Sequence, residues 1–83
     1  MGRYVVVVDR GWIFAGDLTE SPVDGRIFLD NAVWVFKWNA IGFNGVLDNP
    51  KDPKAEMRIM NNIVEIPKTS EIFRVPVADG WGF

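Results

Sequence analysis

The sequence predicts an all-β protein: a small five- or six-stranded barrel or a strongly twisted antiparallel sheet, SH3-like or OB-like, with at most one or two helical turns. Short runs of β-branched and aromatic residues recur along the chain, and turn-forming residues separate them. No long segment repeats apolar residues at the helical period of about 3.6 residues. Because 83 residues are enough for one core only, we expect residues 1–83 to form a single β domain.

The N-terminal part of the chain predicts a β-hairpin. The run YVVVV lacks polar alternation, which is typical of a strand covered on both faces. DRG then has the composition of a tight turn, and the apolar WIFAGDL follows it, so we expect a hairpin over residues 4–18. Gly16 inside the second strand indicates a bulge or a sharp bend. The polar segment TESPVDGR, with Pro22 and the Asp24-Gly25 pair, predicts the next turn.

The third segment, RIFLDNAVWVFKW, is rich in β-forming residues but is interrupted by Asp30 and Asn31. This pair indicates either a bulge in one long bent strand or a two-residue turn between two strands. Too few residues precede Asn31 for two independent strands, so we favour the single bent strand.

The end of that segment carries a row of aromatic residues at two-residue spacing, namely Trp34, Phe36 and Trp38. In a strand all three share one face, so the row is either the floor of the core or an exposed platform for a stacking ligand. Lys37 points to the opposite face, and its charged head requires water. We therefore expect the aromatic row to face the core.

The second half of the chain is less regular. Residues 41–55 combine glycine, proline and asparagine without periodicity and predict a long loop with room for one helical turn. NIVEIP predicts a strand that ends at Pro67, and KTS predicts a brief helical turn before the extended FRVPV. We expect helix only around residues 50–58 or 68–73.

The loop and the C-terminal tail supply the candidate binding residues. Phe43 lies between glycines in the loop and either plugs the barrel end or contacts a partner; barrel ends need covering, which favours the plug. The aromatic tail, residues 78–83, is too apolar to stay mobile and docks on a neighbouring subunit or on its own barrel. The predicted partner- or ligand-binding residues are Phe43, Asn44, Trp81, Phe83, Lys37 and Arg58.

Composition argues against catalysis. The chain has neither cysteine nor histidine, which excludes disulfides, thiolate nucleophiles, conventional zinc sites and the usual general base. The carboxylates near turns match no calcium-loop spacing, and we interpret them as solvated turn residues. They are Asp9, Asp17, Glu20 and Asp24. We therefore predict a non-enzyme with no catalytic residues, no metal and no cofactor.

Charge and hydropathy limit the partners. The net charge is −2 and no basic stripe occurs, which makes nucleic acid a less favoured partner. The N-terminal apolar run is too short for a signal h-region or a membrane span, so we expect a cytoplasmic protein without membrane association.

The order VVVVDRGWIFAG, GRIFLDNAVWVFKW and NIVEIPKTSEIF resembles small uncharacterised β proteins encoded by bacteriophages and prophages. In that group a strand pair with a central glycine precedes a Leu-x-x-Ala step and a strand ending in tryptophan. The corresponding residues here are Gly16, Leu29, Ala32 and Trp38. The loop departs from the group, because its Asn-Pro and Asp-Pro steps stand where the group often has Gly-Pro. The resemblance implies a mobile-element origin and a host cytoplasm, and it implies no activity.

Three functions follow from these observations. The first is a non-enzymatic binding module that forms a homo-oligomer, with a dimer favoured, and engages a host protein or a small ligand through the loop and tail. The second is a single-stranded nucleic-acid-binding barrel that stacks bases on the aromatic row. Its basic residues would be Arg3, Arg10, Arg26, Lys37 and Arg58. The third is a structural virion or assembly component.

Overall fold

The computed structural model describes residues 2–23 and 25–83, so Asp24 of the predicted second turn lies outside the described residues. The described chain folds into one antiparallel sheet of six strands with one α-helix and two short 3-10 turns. The strands are β1 (Arg3–Val8), β2 (Ile13–Ser21), β3 (Arg26–Lys37), β4 (Glu56–Ile59), β5 (Val64–Pro67) and β6 (Glu71–Val77). The helix α1 is Gly42–Asp48, and the 3-10 turns are Asp9–Gly11 and Lys68–Ser70.

The strand order is β4-β3-β2-β1-β6, and β5 pairs with the other half of β3. Strands β1, β2 and β3 follow one another across the sheet, while β6 returns to lie on the free side of β1. Strands β1 to β4 therefore form an antiparallel meander, and β6 extends the sheet beside β1. The all-β prediction and the predicted N-terminal hairpin are thus confirmed.

Strand β3 bends at Asn31, whose φ is 50°. Asp17 pairs with Asp30 and Ala15 pairs with Val33, so two residues of β3 oppose Gly16 alone. A Cβ on Gly16 would lie 2.8 Å from Leu29 Cβ, which shows why glycine suits this position. The bent-strand prediction is confirmed, and the bend lets β5 pair with the first half of β3 and β4 with the second.

Both faces of β1 are buried, as the uninterrupted valine run predicts: Val5 and Val6 are both fully buried on opposite faces. The first face of the sheet is covered by α1 and by the tail. Its buried core consists of Val5, Ile13, Ala15, Val33, Val35, Val46 and Trp81. On the second face, the bend in β3 brings side chains of the sheet itself into contact. Its buried core consists of Val6, Val8, Leu18, Ile27, Leu29, Ala32 and Ile66.

The region predicted as a long loop, residues 41–55, contains the helix α1. Its sequence GFNGVLD has low helix propensity, but Val46 is buried and Leu47 packs beside it against the first core. Tertiary packing rather than local preference therefore stabilises the helix. Of the two places where helix was expected, 50–58 or 68–73, the second is confirmed at Lys68–Ser70. The restriction of helix to these places is wrong, because α1 is Gly42–Asp48 and a further 3-10 turn is Asp9–Gly11. Among the described helices, none has the length and apolar character needed to cross a membrane.

Candidate binding groove and aromatic strip

A groove of about 650 Å³ lies between the C-terminal end of α1 and the C-terminal tail. The end of β6 forms its floor, and residues 49–51 extend the wall that the helix begins. The apolar part of the lining includes Leu47, Val77, Trp81 and Phe83, and the polar part Asn44, Asp48, Asn49, Lys51 and Asp79. Its volume falls within the range of about 300–1,000 Å³ that small-ligand sites have.

Trp81 holds the tail in place. Its side chain is only 7% exposed and packs in the first core with Val33 and Val46. Its indole Nε1–H donates a hydrogen bond of 3.0 Å to the carbonyl oxygen of Leu47 in α1. The sequence allowed the tail to dock on a neighbouring subunit or on its own barrel. In this structure the tail docks on its own domain.

Arg3, in β1, also holds the tail in place. The residue is 2% exposed, and its Nε donates to the Trp81 carbonyl oxygen at 2.8 Å. Its Nη1 donates to Asp17 Oδ1 at 3.2 Å, and its guanidinium carbon lies 4.9 Å from the centre of the Phe83 ring. Arg3 therefore connects β1, β2 and the tail.

Asp17 supports Arg3 and is itself held in its charged form. Asn31 Nδ2 donates a hydrogen bond to Asp17 Oδ2 at 3.0 Å. This hydrogen bond, with a smaller contribution from Arg3, lowers the pKa of the Asp17 carboxyl below its ordinary value, and partial burial opposes the shift. The bulge at Asn31 thus places an amide where it stabilises the carboxylate beside Arg3.

Three of the predicted site residues meet in the groove, namely Asn44, Trp81 and Phe83. Phe43 does not line it: its ring packs edge-on between Trp38, at 6.1 Å, and Phe73, at 5.8 Å, against the first core. This packing matches the first of the two alternatives for Phe43, a plug at the end of the barrel. The sequence did not identify Asp79 and Lys51 as groove residues, because only the docking of the tail brings their segments together.

Lys37 and Arg58 lie on another surface, which we call the aromatic strip and define by Trp12, Phe14, Trp34 and Phe36. Phe14 and Trp34 are cross-strand partners. Ring centres are 5.1 Å apart between Trp12 and Trp34 and 4.7 Å apart between Trp34 and Phe36. Trp12 is 47% exposed and Phe36 36% exposed, so the strip is open to solvent.

The prediction that Trp34, Phe36 and Trp38 form one core-facing row is wrong. Val33 and Val35 occupy the first core instead, and Trp34 and Phe36 lie on the other face of the strand. The pairing of β3 with β4 shifts between Val35 and Lys37, so Phe36 and Lys37 are both exposed. Trp38 follows the irregularity and packs on the first core. The charge of Lys37 therefore does not indicate which face of the strand is buried, because the alternation of side chains breaks beside it.

The aromatic strip has a basic side. The Arg58 guanidinium lies 4.2 Å from the Phe36 ring centre, and the Lys37 ammonium lies 5.9 Å from it. Glu56 accepts a hydrogen bond from Arg58 Nε at 2.6 Å and lies 4.0 Å from Lys37 Nζ. Two cations and one carboxylate therefore line the β4 side of the strip.

The opposite side of the strip is acidic. A smaller groove of about 270 Å³ separates Trp12 and Phe14 from β5, and Asp9 and Glu65 line it. Glu65 lies 3.5 Å from Arg26 Nη1. Of the other arginines in the nucleic-acid hypothesis, Arg3 is buried under the tail, Arg26 is paired with Glu65, and Arg10 is exposed next to Asp9.

Within residues 2–23 and 25–83, no group of three or more carboxylates is close enough to hold a metal ion. No family model matches the chain, and no curated protein shows significant similarity to it.

Proposed function

We propose that the protein is a non-enzymatic binding module that holds a small ligand in the groove between α1 and the tail. The observation that carries this proposal is the groove itself, with its volume of about 650 Å³ and apolar walls. Ligand sites for small molecules span about 300–1,000 Å³.

The walls of the groove are anchored, which reduces the cost of ordering them on binding. Trp81 is hydrogen-bonded to Leu47 on one side, and Arg3 holds the Trp81 carbonyl oxygen on the other. The helix and the tail therefore keep a fixed spacing before any ligand arrives.

The charges of the groove select the ligand chemistry. Asp48 and Asp79 contribute two carboxylates and Lys51 one ammonium group. Leu47 and Phe83 offer apolar contact area. The complementary ligand is a small molecule with an apolar or aromatic body and an amine, since an anion would meet an excess of negative charge.

Two sequence features support a binding role in a host cell. The chain lacks cysteine and histidine, the two most versatile catalytic side chains near neutral pH. Its resemblance to phage-encoded proteins points to a host metabolite, or a host protein segment that presents the same chemistry, as the ligand.

A thermal-shift screen tests the proposal. The panel contains aromatic amines, nucleotides and common metabolites, and we expect at least one amine with an apolar body to raise the melting temperature. Asp79→Asn should weaken that shift, whereas the matched change Asp9→Asn, outside the groove, should leave it unchanged. Absence of any shift across the panel, or equal loss in both variants, would contradict the proposal.

A second candidate function is single-stranded nucleic-acid binding on the aromatic strip. The exposed Trp12 and Phe36 rings favour it, because stacking contributes about 1–3 kcal/mol per base. Asp9, Glu65 and Glu56 around the strip oppose it by repelling phosphates. Fluorescence anisotropy with labelled oligonucleotides at low salt decides the matter, and no binding at tens of micromolar protein would end this candidate.

A further inference from the structure

The aromatic strip is an apolar sheet surface that the described chain leaves open, although the other face of the same sheet is covered by α1 and the tail. Trp12 and Phe36 are its most exposed rings. Exposed tryptophan and phenylalanine beside an arginine is the composition of the centre of protein–protein interfaces. A small domain with a limited core also gains stability from association.

The strip has charges of opposite sign on its two sides. Arg58 and Lys37 share Glu56 on the β4 side, which leaves one excess positive charge there. Asp9 and Glu65 lie in the small groove beside Trp12 and Phe14, and Arg26 pairs with Glu65, which leaves one excess negative charge on that side. A ligand of a single charge sign would be attracted to one side and repelled by the other. A surface with both signs is complementary to itself after a half-turn.

We propose that a second copy of this chain covers the aromatic strip, and that a two-fold axis passes through the strip. In this arrangement the aromatic rings of the two copies pack against each other at the centre. Arg58 of each copy approaches Asp9 and Glu65 of the other, so the excess positive charge of one side meets the excess negative charge of the other.

This arrangement places the homodimer contact on a surface different from the tail that the sequence suggested. Trp81 is only 7% exposed and packs with Val46 within its own chain, so its indole has little surface to offer a second copy. The strip also lies apart from the groove of the proposed function, since the two share no lining residue. Dimerisation and ligand binding can therefore be tested separately.

Sedimentation of the full-length chain over a concentration series tests the interface. We expect a dimer at tens of micromolar and a rise of about tenfold or more in the dissociation constant for Trp12→Ala. The matched control is Ile72→Ala, which also truncates an exposed apolar side chain but lies off the strip. Far-UV circular dichroism of each variant checks that the fold is retained.

Charge reversal gives a sharper test of the two-fold geometry. Arg58→Glu places like charges opposite each other in a homodimer, and so does Asp9→Lys. Each variant should be monomeric alone, yet an equimolar mixture should dimerise, because both contacts between positions 58 and 9 then join opposite charges. Lys54→Glu, an equal charge change away from the strip, should leave the dimer intact.

Several results would overturn the proposal. These are a monomeric full-length chain at about 100 micromolar, a dimer that survives Trp12→Ala and both charge reversals, or a dimer lost only on deletion of residues 79–83. A monomer that binds oligonucleotides through Trp12 would assign the strip to nucleic acid instead. Failure of the mixed variants to dimerise, while each alone is a folded monomer, would reject the two-fold geometry.

Discussion

The two faces of the sheet both carry aromatic residues, but α1 and the tail cover those of the first face, whereas the part of the second face that forms the aromatic strip stays open to solvent. On the first face, Trp81, Trp38 and Phe43 pack around the core formed with α1. On the second face, Trp12 and Phe36 remain partly exposed. The aromatic content of the two regions is alike, so composition does not explain their different burial.

The difference lies in what the chain places over each face. The helix and the tail reach the first face and supply both apolar contacts and the hydrogen bond from Trp81 Nε1 to Leu47. Among the described residues, the side chains of Arg58 and Lys37 lie along one side of the strip and leave its rings open to solvent. An aromatic row on a strand therefore becomes core only where another segment of the chain can cover it.

The largest expected effect comes from comparing the loss of one tryptophan on each face of the sheet. Trp81→Ala removes a buried indole and its hydrogen bond, and it should lower the free energy of unfolding by about 3–5 kcal/mol. Trp12→Ala removes an exposed indole and should cost about 1 kcal/mol or less at concentrations where the protein is monomeric. Urea unfolding monitored by circular dichroism measures both, and equal losses would remove the distinction between the faces.

A second variant tests how tightly the tail lies on the first face. Gly82 has φ of 91°, and a Cβ there would lie 2.8 Å from Val33 Cγ2. Gly82→Ala should therefore cost about 2–3 kcal/mol, from backbone strain plus overpacking.

Gly80→Ala is the matched control for that variant. Gly80 also has positive φ, at 76°, but a Cβ there would have no heavy atom within 4 Å beyond its two neighbours in the chain. Its cost should be the backbone strain alone, about 1 kcal/mol. Thermal unfolding of both variants at one protein concentration measures the difference, and equal costs would show that the tail does not press on Val33.

The smallest expected effect concerns the support of Arg3 under the tail. Asp17→Asn removes a charged acceptor of Arg3 and Asn31 and should cost about 1 kcal/mol near neutral pH, since the Asp17 side chain is partly exposed to solvent. The lowered pKa of Asp17 means that the contribution is present above its ordinary value of 3.8 and is lost as the pH falls through the lower value in the folded protein.

The difference in unfolding free energy between wild type and Asp17→Asn should thus be constant from pH 7 to about pH 5 and shrink below about pH 4. Urea titrations at several pH values measure it. A difference that grows on acidification would contradict the assigned role of Asp17.

Local chemistry explains the parts of the fold that could be predicted from the sequence. The uninterrupted valine run indicates a doubly covered strand, Gly16 and Asn31 mark the bend in the sheet, and Pro67 ends a strand. Each of these signals depends on residues within one segment. The same is true of the brief helical turn before β6.

The candidate site was only partly predictable. Asn44, Trp81 and Phe83 were identified because asparagine in a glycine-rich loop and aromatics on a chain end are unusual in themselves, and all three line the groove. Asp79 and Lys51 have no such local signal. Their place in the groove depends on the tail lying against the end of α1.

By itself the sequence determined the class of fold, the positions of most strands along the chain, the bend in β3 and the need for the aromatic tail to dock. Only the tertiary structure decided that α1 forms, that β4 completes the sheet, and which aromatic residues are buried. The physical reason is that covering a sheet face requires contacts between distant segments. Arg3 and Trp81, whose hydrogen bond closes the first face, are 78 residues apart, and no local pattern encodes such a pairing.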